Sequence, residues 1–157
     1  MNVTDPKRLL LIGIGNDSRG DDGLGWKFAS EMETAFPEMN VAYRYQLQIE
    51  DAEFISGFDM VVFVDSTREA LPNGFSWTRC EPLADVSFST HRQPPGTIVY
   101  LARELFGSGV NAFVLAISGQ DWGLHEGLST EASQNLALAL AFARSQMLPV
   151  VAVQPIL

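Results

Sequence analysis

Cysteine and histidine are scarce in this chain: one Cys and two His stand among its 157 residues. A single thiol, Cys80, closes no internal disulfide and supplies no zinc-ribbon or Cys-x-x-Cys pattern, so the fold must hold without covalent or cysteine-metal staples. A reducing cytoplasm is the expected compartment. Positive charge is also sparse, with 10 Lys and Arg against 19 Asp and Glu and a net charge of −9. Such a surface repels nucleic acid and anionic membranes, and neither is expected as a partner. Long apolar runs are missing too. The longest candidate, Leu136 to Ala143, falls well short of the roughly 20 residues that a membrane-spanning helix needs. Lys7-Arg8-Leu9-Leu10-Leu11-Ile12 begins like a secretory signal but stops at once in Gly13-Ile14-Gly15-Asn16-Asp17, without a small-residue cleavage site. It reads as a first strand.

What the chain does have is 46% hydrophobic content, enough for one domain spanning residues 1–157 to bury a real core. Apolar runs bounded by Gly and Asp alternate with segments of helical period. That alternation predicts an α/β fold, a single three-layer domain in which a twisted, mostly parallel sheet carries helices on both faces. Strands are expected at 8–13, 41–46, 60–65 and 112–117. The alternating stretch 75–81 is expected as an edge or antiparallel strand, and 84–93 as loop. A helix over 23–35 would bury Trp26, Phe28, Ala29 and Met32 and end before Pro37. A short helix or turn covers 51–55. Pro94-Pro95 opens a helix that Gly107 closes. Ser129 suits the N-cap of a last helix with Leu136, Leu140 and Met147 on its apolar side. Neither repeats nor linkers appear, and a monomer is the expectation.

In open parallel sheets, sites form beyond the carboxyl ends of the strands. There the sequence is acidic: Asp17, Asp21 and Asp22 follow the first strand, the third strand ends on Asp65, and His91 precedes the Pro94-Pro95 helix. Gly13 and Gly15 match the start of a dinucleotide-binding G-x-G-x-x-G, but Ser18 takes the third place and three aspartates would face the pyrophosphate. Each polar residue alone has a simpler explanation: Asp21 or Asp22 as a helix cap, Asp65 as a turn residue, His91 as surface. Together, two carboxylates and an imidazole at one sheet end form a three-ligand metal site with open positions, suited to nickel, zinc or a similar divalent ion.

The pieces Gly13-Ile14-Gly15-Asn16, Gly20-Asp21-Asp22-Gly23-Leu24-Gly25, Val62-Phe63-Val64-Asp65, Thr90-His91 and Gly127-Leu128-Ser129 resemble, in order and across nearly the whole chain, the hydrogenase maturation endopeptidases. That resemblance implies an enzyme that recognises a nickel-loaded large-subunit precursor of a nickel–iron hydrogenase and removes its C-terminal extension. It maps the family's metal-engaging residues onto Asp22, Asp65 and His91, which would act as the catalytic set by engaging the substrate's own nickel, with another divalent metal as the alternative. The chain departs from the family after the second strand, where Gln46-Leu47-Gln48-Ile49-Glu50 replaces the usual Asp-Gly-Gly-Thr-like turn. Gln-Leu followed by an acid is similar to the branch serving cytosolic, NAD-linked hydrogenases, which usually has proline where Ile49 stands.

A bound metal near a peptide can polarise the carbonyl or activate a water, and the sequence leaves both open. Cys80 in a strand and the lack of a Gly-x-Ser-x-Gly elbow argue against a covalent nucleophile. An aspartic dyad of Asp22 and Asp65 ranks below metal assistance. Asn16 is expected to fasten its own loop, His125 to be a solvated loop residue, and Arg19 to meet an acidic patch or a carboxylate tail. The rivals from other classes are a non-enzymatic nucleotide- or nickel-binding accessory protein and a metal-dependent hydrolase of small molecules.

Overall fold

The computed structural model describes residues 8–84 and 93–146. Within them lie β1 (Leu9–Ile14), α1 (Leu24–Ala35), β2 (Asn40–Arg44), α2 (Asp51–Ser56), β3 (Met60–Thr67), β4 (Phe75–Arg79), α3 (Pro95–Phe106), β5 (Asn111–Ser118) and α4 (Thr130–Gln146). The strands form one sheet in the order β2-β1-β3-β5-β4. β2, β1, β3 and β5 run parallel, and β4 alone runs antiparallel, paired with β5 from Phe75 opposite Ile117 to Arg79 opposite Phe113.

The period of two in a strand explains both cores. Leu9 and Leu11 of β1, with Val62 and Val64 of β3 and Leu115 and Ile117 of β5, point to one face and meet Phe28, Ala29 and Met32 of α1 and Leu136, Ala139 and Ala143 of α4. Leu10, Ile12 and Ile14, with Val61 and Phe63, point to the other face and meet Ile55 of α2 and Ile98, Val99 and Ala102 of α3. A strand covered on both faces must be apolar at every covered position, which is why β1 and the first five residues of β3, Met60 to Val64, read as hydrophobic runs.

Differences from expectation are local. The helix expected from Gly23 is preceded by a 3₁₀ turn over Gly20–Gly23, and α1 begins at Leu24. Leu24 is therefore buried in the first turn while Trp26 is only half buried, its indole donating to the Arg44 carbonyl at 2.9 Å. β3 and β5 run past their expected ends to Thr67 and Ser118. Ser129 caps α4 as expected: its hydroxyl accepts from the Ala132 N–H at 3.1 Å. Met147 lies outside the described residues.

The connectivity marks one crevice. After β1 the chain goes to β2 on one side, and after β2 it crosses to β3 on the other, so the carboxyl ends of β1 and β3 are a topological switch point.

Candidate functional site

Beyond β1, Gly15 adopts φ 140°, and a Cβ there would run into the Asp22 carbonyl oxygen. Glycine is required because the loop doubles back on itself: the Asn16 N–H donates to the Asp22 carbonyl at 3.1 Å, and the Asp22 N–H donates to the Arg19 carbonyl at 3.0 Å. The Asn16 side chain accepts from the Ser18 N–H at 2.9 Å, the turn-fastening role expected of it. This closed loop delivers Asp22, half buried, toward the end of β3.

Asp65 stands on β3 beside it. Ser66 joins the two: its N–H donates to Asp65 Oδ1 at 2.8 Å and its hydroxyl reaches Asp22 Oδ1 at 3.4 Å. The second contact is long, so the Asp22 carboxylate is positioned by its backbone more than by a strong side-chain bond. Ser66 was not singled out from the sequence, and nothing in its type or spacing marks it. His91, the third expected ligand, lies outside the described residues. Among the described residues no group of three or more His, Cys, Asp and Glu is placed to hold a metal ion. What the described chain brings together is an oxygen-donor pair, and two carboxylates fit a hard or borderline divalent cation that still needs further ligands.

The neighbouring aspartate has another job. Asp21 is fully buried, and its carboxylate accepts four hydrogen bonds: from the N–H groups of Gln120 at 2.7 Å, Asp121 at 2.9 Å and Ser129 at 2.7 Å, and from the Ser129 hydroxyl at 2.7 Å. Burial pushes its pKa up, but the donors from Asp121, Gln120 and Ser129 together outweigh that and hold it below the ordinary carboxylate value. The expectation that Asp21 or Asp22 caps the helix following them is corrected here, because α1 has no side-chain cap. Asp21 instead ties the first loop to the N-terminus of α4, where the helix dipole also favours a negative charge.

The segment between β5 and α4 completes the clasp. Gly20 and Asp21 donate their N–H groups to the carbonyls of His125 at 2.8 Å and Asp121 at 2.7 Å. His125 is not merely solvated: its Nε2 lies 2.9 Å from Asp121 Oδ2 and its Nδ1 lies 3.2 Å from the Glu126 carbonyl. With acceptors at both ring nitrogens, the Glu126 carbonyl first and Asp121 next, the imidazole is held above its ordinary pKa. Asp121 is held low by the Gly123 N–H and by His125.

The bonds of the first loop also bear on phosphate binding. The N–H groups of Gly15, Asn16, Ser18, Arg19, Gly20, Asp21 and Asp22 all donate within the protein. A phosphate-cradling loop needs such N–H groups turned outward, and here they are already used.

Cys80 sits at the far end of the sheet. Its N–H donates to Ala112, at the start of β5, and burial, with the Glu81 charge adding, pushes its thiol up to about 11. A thiol so placed is no nucleophile for a site at the carboxyl ends of β1 and β3. On the site's own side, the segment after β2 forms an open hollow of about 560 Å³ lined by Tyr43, Arg44, Tyr45, Gln46, Gln48, Glu50 and Asp51. Its floor is the Arg44–Asp51 ion pair, at 2.9 Å with Asp51 nearly buried. Asp51 also accepts the Gln48 N–H at 3.0 Å, which sets the turn where the sequence departs from the resembled family.

Fold and site together define a class: a doubly wound α/β domain with a paired-carboxylate crevice at its switch point. Solved structures share the fold. A [NiFe] hydrogenase maturation protease, HycI, from Thermococcus kodakarensis superposes with a TM-score of 0.67 at 23% identity, covering 95% of this chain and 94% of that one. HybD, a [NiFe] hydrogenase maturation protease from the same organism, gives 0.59 at 18% identity over 88% and 97%. The hydrogenase maturating endopeptidase HybD from E. coli gives 0.61 at 17% identity over 88% and 93%. At these identities the likeness establishes a common fold over nearly the full length. No family model and no curated protein matches the sequence.

Proposed function

We propose that the chain is an endopeptidase that removes the C-terminal extension of a nickel-loaded large-subunit precursor of a nickel–iron hydrogenase. The observation that carries this reading is the Asp22–Ser66–Asp65 arrangement at the switch point, on a fold whose solved examples include hydrogenase maturation proteases. In this reading Asp22 and Asp65, with His91, engage the nickel that the substrate brings. The metal held there would polarise the scissile carbonyl or sharpen a water as nucleophile, and the protein's part is to fix its position relative to the peptide. Asp21 serves by locking the loop that carries Asp22. A cytoplasmic place of action agrees with a precursor processed before its subunit closes. Among the described residues, no helix is long and apolar enough to cross a membrane.

The inward-facing N–H groups of the first loop weigh against the nucleotide form of the accessory-protein reading, which a thermal shift with ATP, GTP or NAD tests. Its nickel-carrier form is separated by experiment. Purified protein is mixed with a nickel-loaded precursor and with the nickel-free form, and precursor mass is followed. Loss of a C-terminal peptide from the loaded form alone is the expected result. A loaded precursor that stays intact for every hydrogenase of the source organism would overturn the peptidase reading.

A further inference from the structure

Arg68 follows β3 directly, three residues after Asp65, and its guanidinium carbon lies over the indole of Trp122, 4.5 Å from the ring centroid. Its backbone is pinned on both sides. The Thr67 carbonyl accepts from the Gly119 N–H at 3.0 Å, Ser118 Oγ donates to the Glu69 carbonyl at 2.8 Å, and the Leu71 N–H donates to Ser118 Oγ at 3.0 Å. Trp122 is seated with equal care. Its ring packs over Gly119, where a Cβ would lie 3.1 Å from the indole and 2.7 Å from Asp21 Cβ, so only glycine lets ring, strand end and buried carboxylate stack. The residues flanking Trp122 are fixed as well, by the Asp121 N–H to Asp21 and the Gly123 N–H to Asp121.

The stack therefore runs Asp21, Gly119, Trp122, Arg68, from the buried clasp outward to an exposed guanidinium. The ion pairs among the described residues employ Lys27, Arg44, Arg79 and His125, and none employs Arg68. An arginine held over an aromatic ring by a cation–π contact keeps N–H donors available to a second partner, with less rotamer freedom left to lose. That is the geometry that receives a carboxylate in two parallel hydrogen bonds. Its surroundings sharpen the point, since Glu69, Asp121 and Glu126 are exposed nearby in sequence and the whole chain carries −9. An anionic group entering this end of the sheet is repelled by most of the surface, and Arg68 and the exposed Arg19 of the first loop are cations outside the ion pairs named above.

We propose that Arg68, held on Trp122, is a substrate-binding residue that receives a carboxylate of the precursor's C-terminal extension. It rests on the endopeptidase reading and adds a register to it. Arg68 stands three residues after Asp65, just past the end of β3 and about 10 Å on at the rise of a strand, so the carboxylate belongs a few residues of peptide away from the bond held at the carboxylate pair. Two sources offer the same chemistry: an Asp or Glu side chain of the extension, or the terminal carboxylate itself.

The test measures processing of nickel-loaded precursor by the wild type, Arg68→Gln and Arg68→Lys. It uses the native extension, an extension with its Asp and Glu changed to Asn and Gln, and one ending in an amide. Arg68→Gln is expected to raise KM about tenfold with kcat within about twofold, the signature of a lost charge-assisted contact made equally in ground and transition states. Arg68→Lys keeps the charge without the fork and should fall between. On the extension that lacks the recognised carboxylate, the wild type should be as weak as Arg68→Gln, and which extension behaves so identifies the side chain or the terminus. An unchanged KM in Arg68→Gln, or the same penalty on all three extensions, overturns the assignment while the peptidase reading stands. Failure of the wild type to cleave any loaded precursor overturns both.

Discussion

Replacing Asp21 by asparagine keeps the shape of the side chain and removes its charge, which isolates what the four hydrogen bonds contribute. Asparagine has one acceptor oxygen. If that oxygen takes the three donors now on Oδ2, from Gln120, Asp121 and the Ser129 hydroxyl, the new amino group meets the Ser129 N–H that now bonds Oδ1. If it is turned over, the amino group meets the N–H groups of both Gln120 and Asp121. Either way at least one buried N–H is left without a partner, at about 1–3 kcal/mol, and the remaining bonds lose their ionic character. Asn avoids the cost of burying a charge, which offsets part of this, and a net loss of about 3 kcal/mol is expected. With a urea m-value of about 2 kcal/mol/M, typical of a small domain, the unfolding midpoint should fall by about 1.5 M with m unchanged. The pH dependence gives a second reading. The folded carboxylate titrates below its ordinary value of 3.8, so its contribution is complete above 3.8 and is lost as pH falls through the lower folded value. Asparagine has no such titration. The gap between wild type and Asp21→Asn should therefore stay constant near neutral pH and narrow in acid below 3.8. A midpoint shift under about 0.3 M, or a gap that widens on acidification, would refute the clasp.

Asp22→Asn should abolish processing of a loaded precursor with a stability change of about 1 kcal/mol or less, because its side chain makes one long contact at 3.4 Å; Asp65→Asn should likewise abolish processing, both read by precursor mass beside urea unfolding. With its thiol at about 11, Cys80 should alkylate at pH 8 about a hundredfold more slowly than a thiol of ordinary pKa 9.0, followed by intact mass, and the alkylating reagent should leave processing unimpaired over that time. The His125 imidazole should titrate above 6.5 by NMR, and Asp121→Asn should bring it back toward that value, since the carboxylate is one of the two acceptors facing the ring; a titration at or below 6.5 in the wild type would count against the pairing.

The layers of this fold were legible because burial on both faces leaves a one-dimensional trace: β1 and Met60 to Val64 of β3 have no polar position, and the alternation of Phe75 and Trp77 with Ser76 and Thr78 separates the antiparallel edge from them. Trp26 was misread because a 3₁₀ turn, invisible in composition, precedes the helix, and the indole turns to the Arg44 carbonyl at the rim of the sheet. The site was legible as a place, since strand ends at a switch point can be counted along a chain, but not as a division of labour. Asp21 and Asp22 are the same residue type in adjacent positions, and no local pattern distinguishes them. What distinguishes them is donors 99 to 108 residues away, which converge on Asp21 and leave Asp22 facing the crevice. Arg68 and Trp122 are likewise ordinary surface residue types until β3 and the loop after β5 bring them into contact. An acidic pair in a strand-to-helix loop is thus two predictions at once, one aspartate for the fold and one proposed for the chemistry. The structure orders them with opposite signatures: Asp21→Asn should cost stability first, and Asp22→Asn should cost processing with stability nearly intact. Were the two variants to exchange those signatures, the long-range donors would have been assigned to the wrong carboxylate.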